Sequence, residues 1–120
     1  MNFNNILIGS EDPQRLADYY SRLFGAPVFA GSGYSSWRIG SGGITVGPHD
    51  QVKGKNGTPG RLIWNIESED VKGDCARLVA AGALVVREPY EFADGDQTAW
   101  IATFADPDDN YFQLTSPFEM

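Results

Sequence analysis

Five polar side chains interrupt stretches that otherwise read as strands: Asn5, Arg61, Asn65, Glu67 and Gln113. Two neutral amides at Asn5 and Gln113, a further amide, a guanidinium and a carboxylate could orient a small polar ligand by hydrogen bonding. A solvated sheet face explains Arg61 and Glu67, near strand ends, equally well. For Asn5 and Gln113 a ligand or a mutual hydrogen bond is the better expectation, because deep positions rarely leave polar groups unpaired. His49 is the one histidine, set in Gly47-Pro48-His49-Asp50. An imidazole beside a carboxylate could serve as a general base or lone ligand, with Glu67 as the other catalytic candidate. Loop histidines are more often plain surface residues, and that is the favoured expectation for His49. Trp37 and Trp100 stand open between core packing and a stacking platform for a flat ligand. Cys75 falls in a helical apolar stripe and reads as buried packing. The sequence contains no Gly-x-Gly-x-x-Gly, P-loop or nucleophile-elbow motif, and no carboxylate pair placed for acid–base work.

The elements that must position these residues come in two copies. Ser10-Glu11-Asp12 recurs as Ser68-Glu69-Asp70, an offset of 58 residues, and each copy sits between an apolar stretch and a helical pattern ending at Gly-Ala. A duplicated supersecondary unit is the economical explanation. In the first copy, Phe3 to Ile8 reads as a strand with Ile6 and Ile8 on one face. Phe3, Asn5 and Leu7 take the other. Asp12 can cap the next helix, with Pro13 at its first position. Leu16, Tyr19, Tyr20, Leu23 and Phe24 then form one apolar stripe, and Gly25 suits the left-handed position that ends it. Val28 to Ala30, Tyr34 to Gly40 and Gly43 to Val46 are the remaining strands.

In the second copy, Leu62, Trp64 and Ile66 alternate with Arg61, Ile63 and Asn65. Val71, Cys75, Leu78 and Val79 give a helical stripe, weakened by Gly73 by roughly 1 kcal/mol relative to Ala. Strands are expected at Leu84 to Arg87, about Thr98 to Phe104, and Tyr111 to Thr115. Tyr90 to Thr98 reads as a loop beside the site. Asp106-Pro107-Asp108-Asp109-Asn110 is a tight turn. The expected organisation is one α+β domain over 1–120, of two tandem βαβββ modules (1–52 and 61–120) joined by a Gly-rich linker at 53–60. Their curved mixed sheet would enclose a cleft, lined by strand residues pointing away from the helices.

Composition excludes more than it selects. A net charge of −7 argues against nucleic acid and anionic membranes, and leaves open a cationic or neutral ligand. With a single cysteine there is no intrachain disulfide framework, which fits a reducing cytoplasm. Neither a signal peptide nor a membrane-spanning run is apparent. A cytoplasmic protein is expected.

This order of elements, with these local sequences, resembles the vicinal oxygen chelate superfamily, the glyoxalase, bleomycin-resistance and extradiol-dioxygenase fold. The resemblance is carried by Ile6-Leu7-Ile8 through the Arg15–Gly25 helix, by Glu69-Asp70-Val71 with Ala81-Gly82-Ala83, and most specifically by Phe104-Ala105-Asp106-Pro107-Asp108-Asp109-Asn110-Tyr111-Phe112-Gln113-Leu114. In metal-using members, four inward strand positions hold a divalent ion through His, Glu or Gln. The resemblance places these positions on Asn5, Thr45, Ile63 and Gln113. Ile63 offers no donor, and Asn, Thr and Gln do not offset a divalent charge. No metal and no cofactor is therefore expected. The function implied is metal-independent small-molecule binding, with Asn5, Thr45, Arg61, Ile63, Asn65, Trp100 and Gln113 contacting the ligand and sequestration as its use. The alternative is a glyoxalase-like lyase working through His49 or a non-standard metal site. The resemblance also implies a homodimer.

Overall fold

Two Asp-initiated helices organise the two copies. Asp12 caps α1 (Pro13–Phe24) by accepting from the Arg15 amide at 3.2 Å, and Pro13 occupies the first turn, where a missing N–H is harmless. The helix ends at Gly25, whose φ of 87° lies in the region that favours glycine. Asp70 caps α2 (Val71–Ala80) in the same way, accepting from the Gly73 amide at 3.0 Å. A Cβ on Gly73 would run into the Asp70 carboxylate, so the glycine that weakens α2 by propensity also makes room for its cap.

The computed structural model describes residues 1–94 and 97–117, with backbone alone at Asp94 and Gln97. Around α1 lie β1 (Ile6–Ser10), β2 (Phe29–Gly31), β3 (Tyr34–Ile39) and β4 (Gly42–Pro48). Around α2 lie β5 (Ile63–Glu67), β6 (Leu84–Asp94), β7 (Gln97–Ala105) and β8 (Tyr111–Thr115). The first sheet runs in the order β1-β4-β3-β2 and the second β5-β8-β7-β6, with one parallel pair, β1 with β4 or β5 with β8, in each. This is the expected α+β fold of two βαβββ modules. The first unit comprises Met1–Lys55 and the second begins at Asn56.

In the first unit α1 packs on β1, β3 and β4. Leu16, Tyr20, Trp37, Ile44 and Val46 form its core, all nearly inaccessible to solvent. Trp37, open from sequence, is core. Its indole N–H donates to the Gly25 carbonyl at 2.9 Å, and its ring lies 6.0 Å from that of Tyr20. Burying side chains of this size stabilises by roughly 1.5–3 kcal/mol each. In the second unit α2 packs on β6, β7 and β8, and Trp64, Phe112 and Phe104 stack in series at 4.8 and 5.1 Å.

Three departures from the expected elements bear on the site residues. The first strand begins at Ile6 rather than Phe3, because its ladder with β4 starts at the Ile6–Ile44 pair. Asn5 therefore precedes β1. The stretch expected as a loop from Tyr90 to Thr98 is mostly strand: β6 runs to Asp94 and β7 starts at Gln97. Pro89 sits inside β6 at a register shift between Arg87 and Tyr90, where a proline withdraws no ladder hydrogen bond. Gly95, assigned to the same loop, lies outside the described residues. Arg61 belongs to a short 3₁₀ turn, Pro59–Arg61, ahead of β5.

The segment expected as a linker is tethered at both ends. Lys53 lies 3.9 Å from the Glu11 carboxylate, which also accepts from the Gly54 amide at 3.4 Å. Asn56 donates its backbone N–H to the Asp108 carbonyl at 2.8 Å and its side-chain amide to Asn110 at 3.2 Å. No helix among the described residues is long and apolar enough to cross a membrane.

Candidate functional site

Each sheet has one face covered by its helix and one left open, and strand alternation decides which side chains the open face carries. In the first unit the register aligns Phe29, Ser36, Thr45 and Leu7 across the open face. The hydroxyls of Ser36 and Thr45 lie 2.9 Å apart, and Thr45 donates to the Asn5 side-chain oxygen at 3.1 Å. The structure thus brings together Asn5 and Thr45, two of the residues named from sequence, and adds Ser36. Apolar register neighbours frame this polar trio, with Phe29 and Leu7 both largely exposed.

The next row along the open face is Gly31, Tyr34, Gly47 and Gly9. Here missing side chains matter more than present ones. The Tyr34 ring occupies the space a Cβ on Gly47 would need, and the base of the His49 side chain, with Val52, occupies that above Gly9. His49 is exposed. Its Nδ1 accepts from the Gln51 amide at 3.2 Å and stands 3.6 Å from Asp50. It stands on the loop as the favoured surface residue, without a hydrogen bond to Asn5 or Thr45.

In the second unit the open face carries three rows. Leu84, Ala105, Tyr111 and Ile63 form one, Arg87, Thr103, Gln113 and Asn65 the next, and Tyr90, Ile101, Thr115 and Glu67 the third. Gln113 donates to the Thr103 hydroxyl at 3.2 Å, and Thr103 is only 7% exposed beneath its neighbours. Asn65 and Gln113, both named from sequence, are register partners on adjacent strands. Ile63 and Glu67 flank them on β5, and Arg61 lies beyond its start. Trp100 does not join this group. It alternates with Ile101, and its ring is covered by the ammonium of Lys72 from α2 at 3.9 Å, so it belongs to the helix-bearing face.

Sequence reasoning missed Ser36, Thr103 and Arg87. Counting alternately from Leu84 sends Arg87 to the helix side. The register shift between Val85 and Arg87 instead sets it opposite Thr103, with its guanidinium carbon 3.5 Å from the Tyr90 ring centre. A bulge of this kind re-aims side chains and has no reliable sequence signal.

Two titratable groups on α2, on the helix side of the second sheet, have displaced pKa. The Ser68 hydroxyl and then the Arg77 guanidinium hold the Asp74 carboxyl below its ordinary value. Burial, then the nearby Glu88 charge, pushes the Cys75 thiol up.

Residues 5–115 match the family described as Glyoxalase-like domain. The chain belongs to this family. No curated protein matches the sequence. Among solved structures, a glyoxalase/bleomycin resistance protein/dioxygenase family enzyme from Burkholderia phytofirmans PsJN is 18% identical, with a TM-score of 0.73 over 98% of this chain and 100% of that one. A glyoxalase/bleomycin resistance protein/dioxygenase from Alicyclobacillus acidocaldarius is 13% identical, with a TM-score of 0.75 over 98% and 92%. A glyoxalase-related enzyme from Fulvimarina pelagi is 20% identical, with a TM-score of 0.72 over 98% and 88%. At these identities the likeness is one of fold.

The resemblance maps metal ligands of the His, Glu or Gln type onto Asn5, Thr45, Ile63 and Gln113, and of these residues only Gln113 is of such a type. As a set they do not fit that role. In the first unit the Asn5 oxygen and the Thr45 hydroxyl are neutral and bonded to one another. In the second, Ile63 has no donor atom and the Gln113 amide is directed at Thr103. Among the described residues no three His, Cys, Asp or Glu side chains gather into a possible metal group. A divalent cation at Asn5, Thr45, Ile63 or Gln113 would keep its charge uncompensated.

Proposed function

We propose that this member of the Glyoxalase-like domain family binds a small organic molecule on the open face of a sheet without a metal ion. The observation that carries this reading is the chemistry of the open faces. Neutral hydrogen-bonding groups gather there, Asn5–Thr45–Ser36 in one unit and Asn65–Gln113–Thr103 in the other, and they include three of the four positions, Asn5, Thr45 and Gln113, to which the resemblance maps metal ligands. Apolar and aromatic side chains frame them: Phe29 and Leu7 in the first unit, Tyr111, Tyr90 and Ile63 in the second. A few fixed polar groups in an apolar surround is the usual composition of a small-molecule site. Amides and hydroxyls discriminate ligands by hydrogen bonding and do not themselves supply an acid, base or nucleophile near neutral pH.

Two measurements test the reading together. Elemental analysis after incubation with Zn, Mn, Fe and Ni is expected to find no stoichiometric metal. Amide-resolved NMR titration with small aromatic compounds is expected to give saturable shifts at the side-chain amides of Asn65 and Gln113. One tightly held metal per chain, or a metal-stimulated reaction, would overturn the metal-free reading and favour the lyase.

A further inference from the structure

The polar row of the second unit has a charged end. Arg87, Thr103, Gln113 and Asn65 are consecutive register partners on β6, β7, β8 and β5. At about 4.8 Å between strands, the row spans about 14 Å. Its far end and middle are neutral amides and a nearly buried hydroxyl, and its near end is a guanidinium over the Tyr90 ring. Stacking on an aromatic face holds the guanidinium flat and leaves its N–H edge, which matches a planar oxyanion, for hydrogen bonding.

The acids close to Arg87 in sequence lie elsewhere. Glu88 acts on Cys75 of α2, and Glu91 pairs in register with Trp100, so both belong to the helix side. Among the described side chains the charged groups on the open face are Arg87 and Glu67; Asp94 falls on the same face of β6 by register, four residues beyond Tyr90. Glu67 is on β5, at the opposite edge of the sheet, and Arg61 precedes that same strand. Among the described residues no carboxylate pairs with Arg87. A chain of net charge −7 therefore presents a local cationic group at the one end of the polar row that is braced by an aromatic ring.

We propose that Arg87, seated on Tyr90, is the anchor for a carboxylate on the ligand. The Thr103–Gln113–Asn65 row then reads neighbouring carbonyl or hydroxyl groups. The inference rests on the small-molecule reading given above and narrows it to anionic, planar ligands, opposite in sign to what the net charge favours. Arg87 here is a binding residue, and no bond is made or broken.

Benzoate and its neutral isostere benzamide, titrated into the intact protein by NMR, separate the two levels of the argument. Benzoate is expected to bind about five- to tenfold more tightly than benzamide, the range of a partly exposed charge-assisted pair. R87Q should remove that preference by weakening benzoate binding about five- to tenfold more than benzamide binding. R87K, which keeps the charge and loses the fork, should retain only part of it. Matching amide spectra outside the β6–β7 edge establish that the variants fold. Equal binding of the two probes, or a benzoate preference that survives R87Q, overturns the carboxylate anchor and leaves the small-molecule reading standing. Absence of saturable shifts with either probe overturns both.

Discussion

Replacing Asp106 with alanine is the sharpest test of how the second unit is held together. The Asp106 carboxylate is fully inaccessible to solvent and accepts from the Asp108 amide at 2.9 Å, the Asn110 amide at 3.0 Å and the Asn110 side chain at 3.0 Å. It thereby closes the turn between β7 and β8, in which Asp109 takes a φ of 62°. Removing it orphans two backbone donors. A buried donor without a partner costs about 1–3 kcal/mol. Asp108 is buried and Asn110 only partly so, which puts the loss at about 2 kcal/mol for the first and about 1 for the second. The sum, about 3 kcal/mol, is a large share of the roughly 5–15 kcal/mol that stabilises an ordinary domain. In urea unfolding, with a slope of about 1.5 kcal/mol per molar, the midpoint of D106A should fall by about 2 M with the slope unchanged. D106N keeps one acceptor oxygen and should lose about half as much. A midpoint shift for D106A below about 0.5 M would refute the turn's dependence on these hydrogen bonds.

Gly73→Ala should destabilise the protein by about 1 kcal/mol in thermal unfolding, although propensity alone would make it stabilising by a similar amount, because the new Cβ displaces the capping Asp70 carboxylate. The lowered pKa of Asp74 contributes stability that is fully present above its unfolded value near 3.8 and lost as pH falls through the folded value. D74N should accordingly lose less stability than the parent between about pH 5 and pH 2, followed by urea midpoints across that range. For Cys75 the raised pKa keeps the thiol protonated in the fold, so its contribution holds below the unfolded value near 9.0 and is lost as pH rises through the folded one. Thiol labelling at about pH 8 should therefore wait on unfolding, and denaturant should accelerate it at least about tenfold.

Much of this fold is written in local sequence. The helices are legible because cap, stripe and stop agree: Asp12, Pro13, the Leu16-to-Phe24 stripe and Gly25 each point to the same bounds. The repeat of Ser-Glu-Asp reveals the two modules, since each copy precedes a helix. Strand ends are less legible, because pairing rather than propensity sets them. Phe3 continues the alternation of β1, yet the ladder with β4 opens only at Ile6. Pro89 looks like a strand breaker, and the bulge absorbs it. The site divides along the same line. Asn5, Asn65 and Gln113 could be placed because regular alternation reaches them, and Thr45 because the resemblance maps onto it. Arg87 could not, since its facing depends on a register shift, and Ser36 and Thr103 stand out only when neighbouring strands are aligned. Trp100, an undecided aromatic in the sequence, is settled by the Lys72 ammonium above its ring.

The two-ended tethering of the segment from Lys53 to Thr58 bears on how the gene could be rearranged. Every hydrogen bond and ion pair of Lys53 and Gly54 described above runs back to Glu11, and those of Asn56 run forward to Asp108 and Asn110. The peptide bond between Gly54 and Lys55 lies between the two sets and carries none of these contacts itself. Opening the chain there leaves each module with its own half of the connection and its own anchors. That makes this bond the natural place for new termini in a circular permutant, or for dividing the coding sequence so that the two modules are made as separate polypeptides.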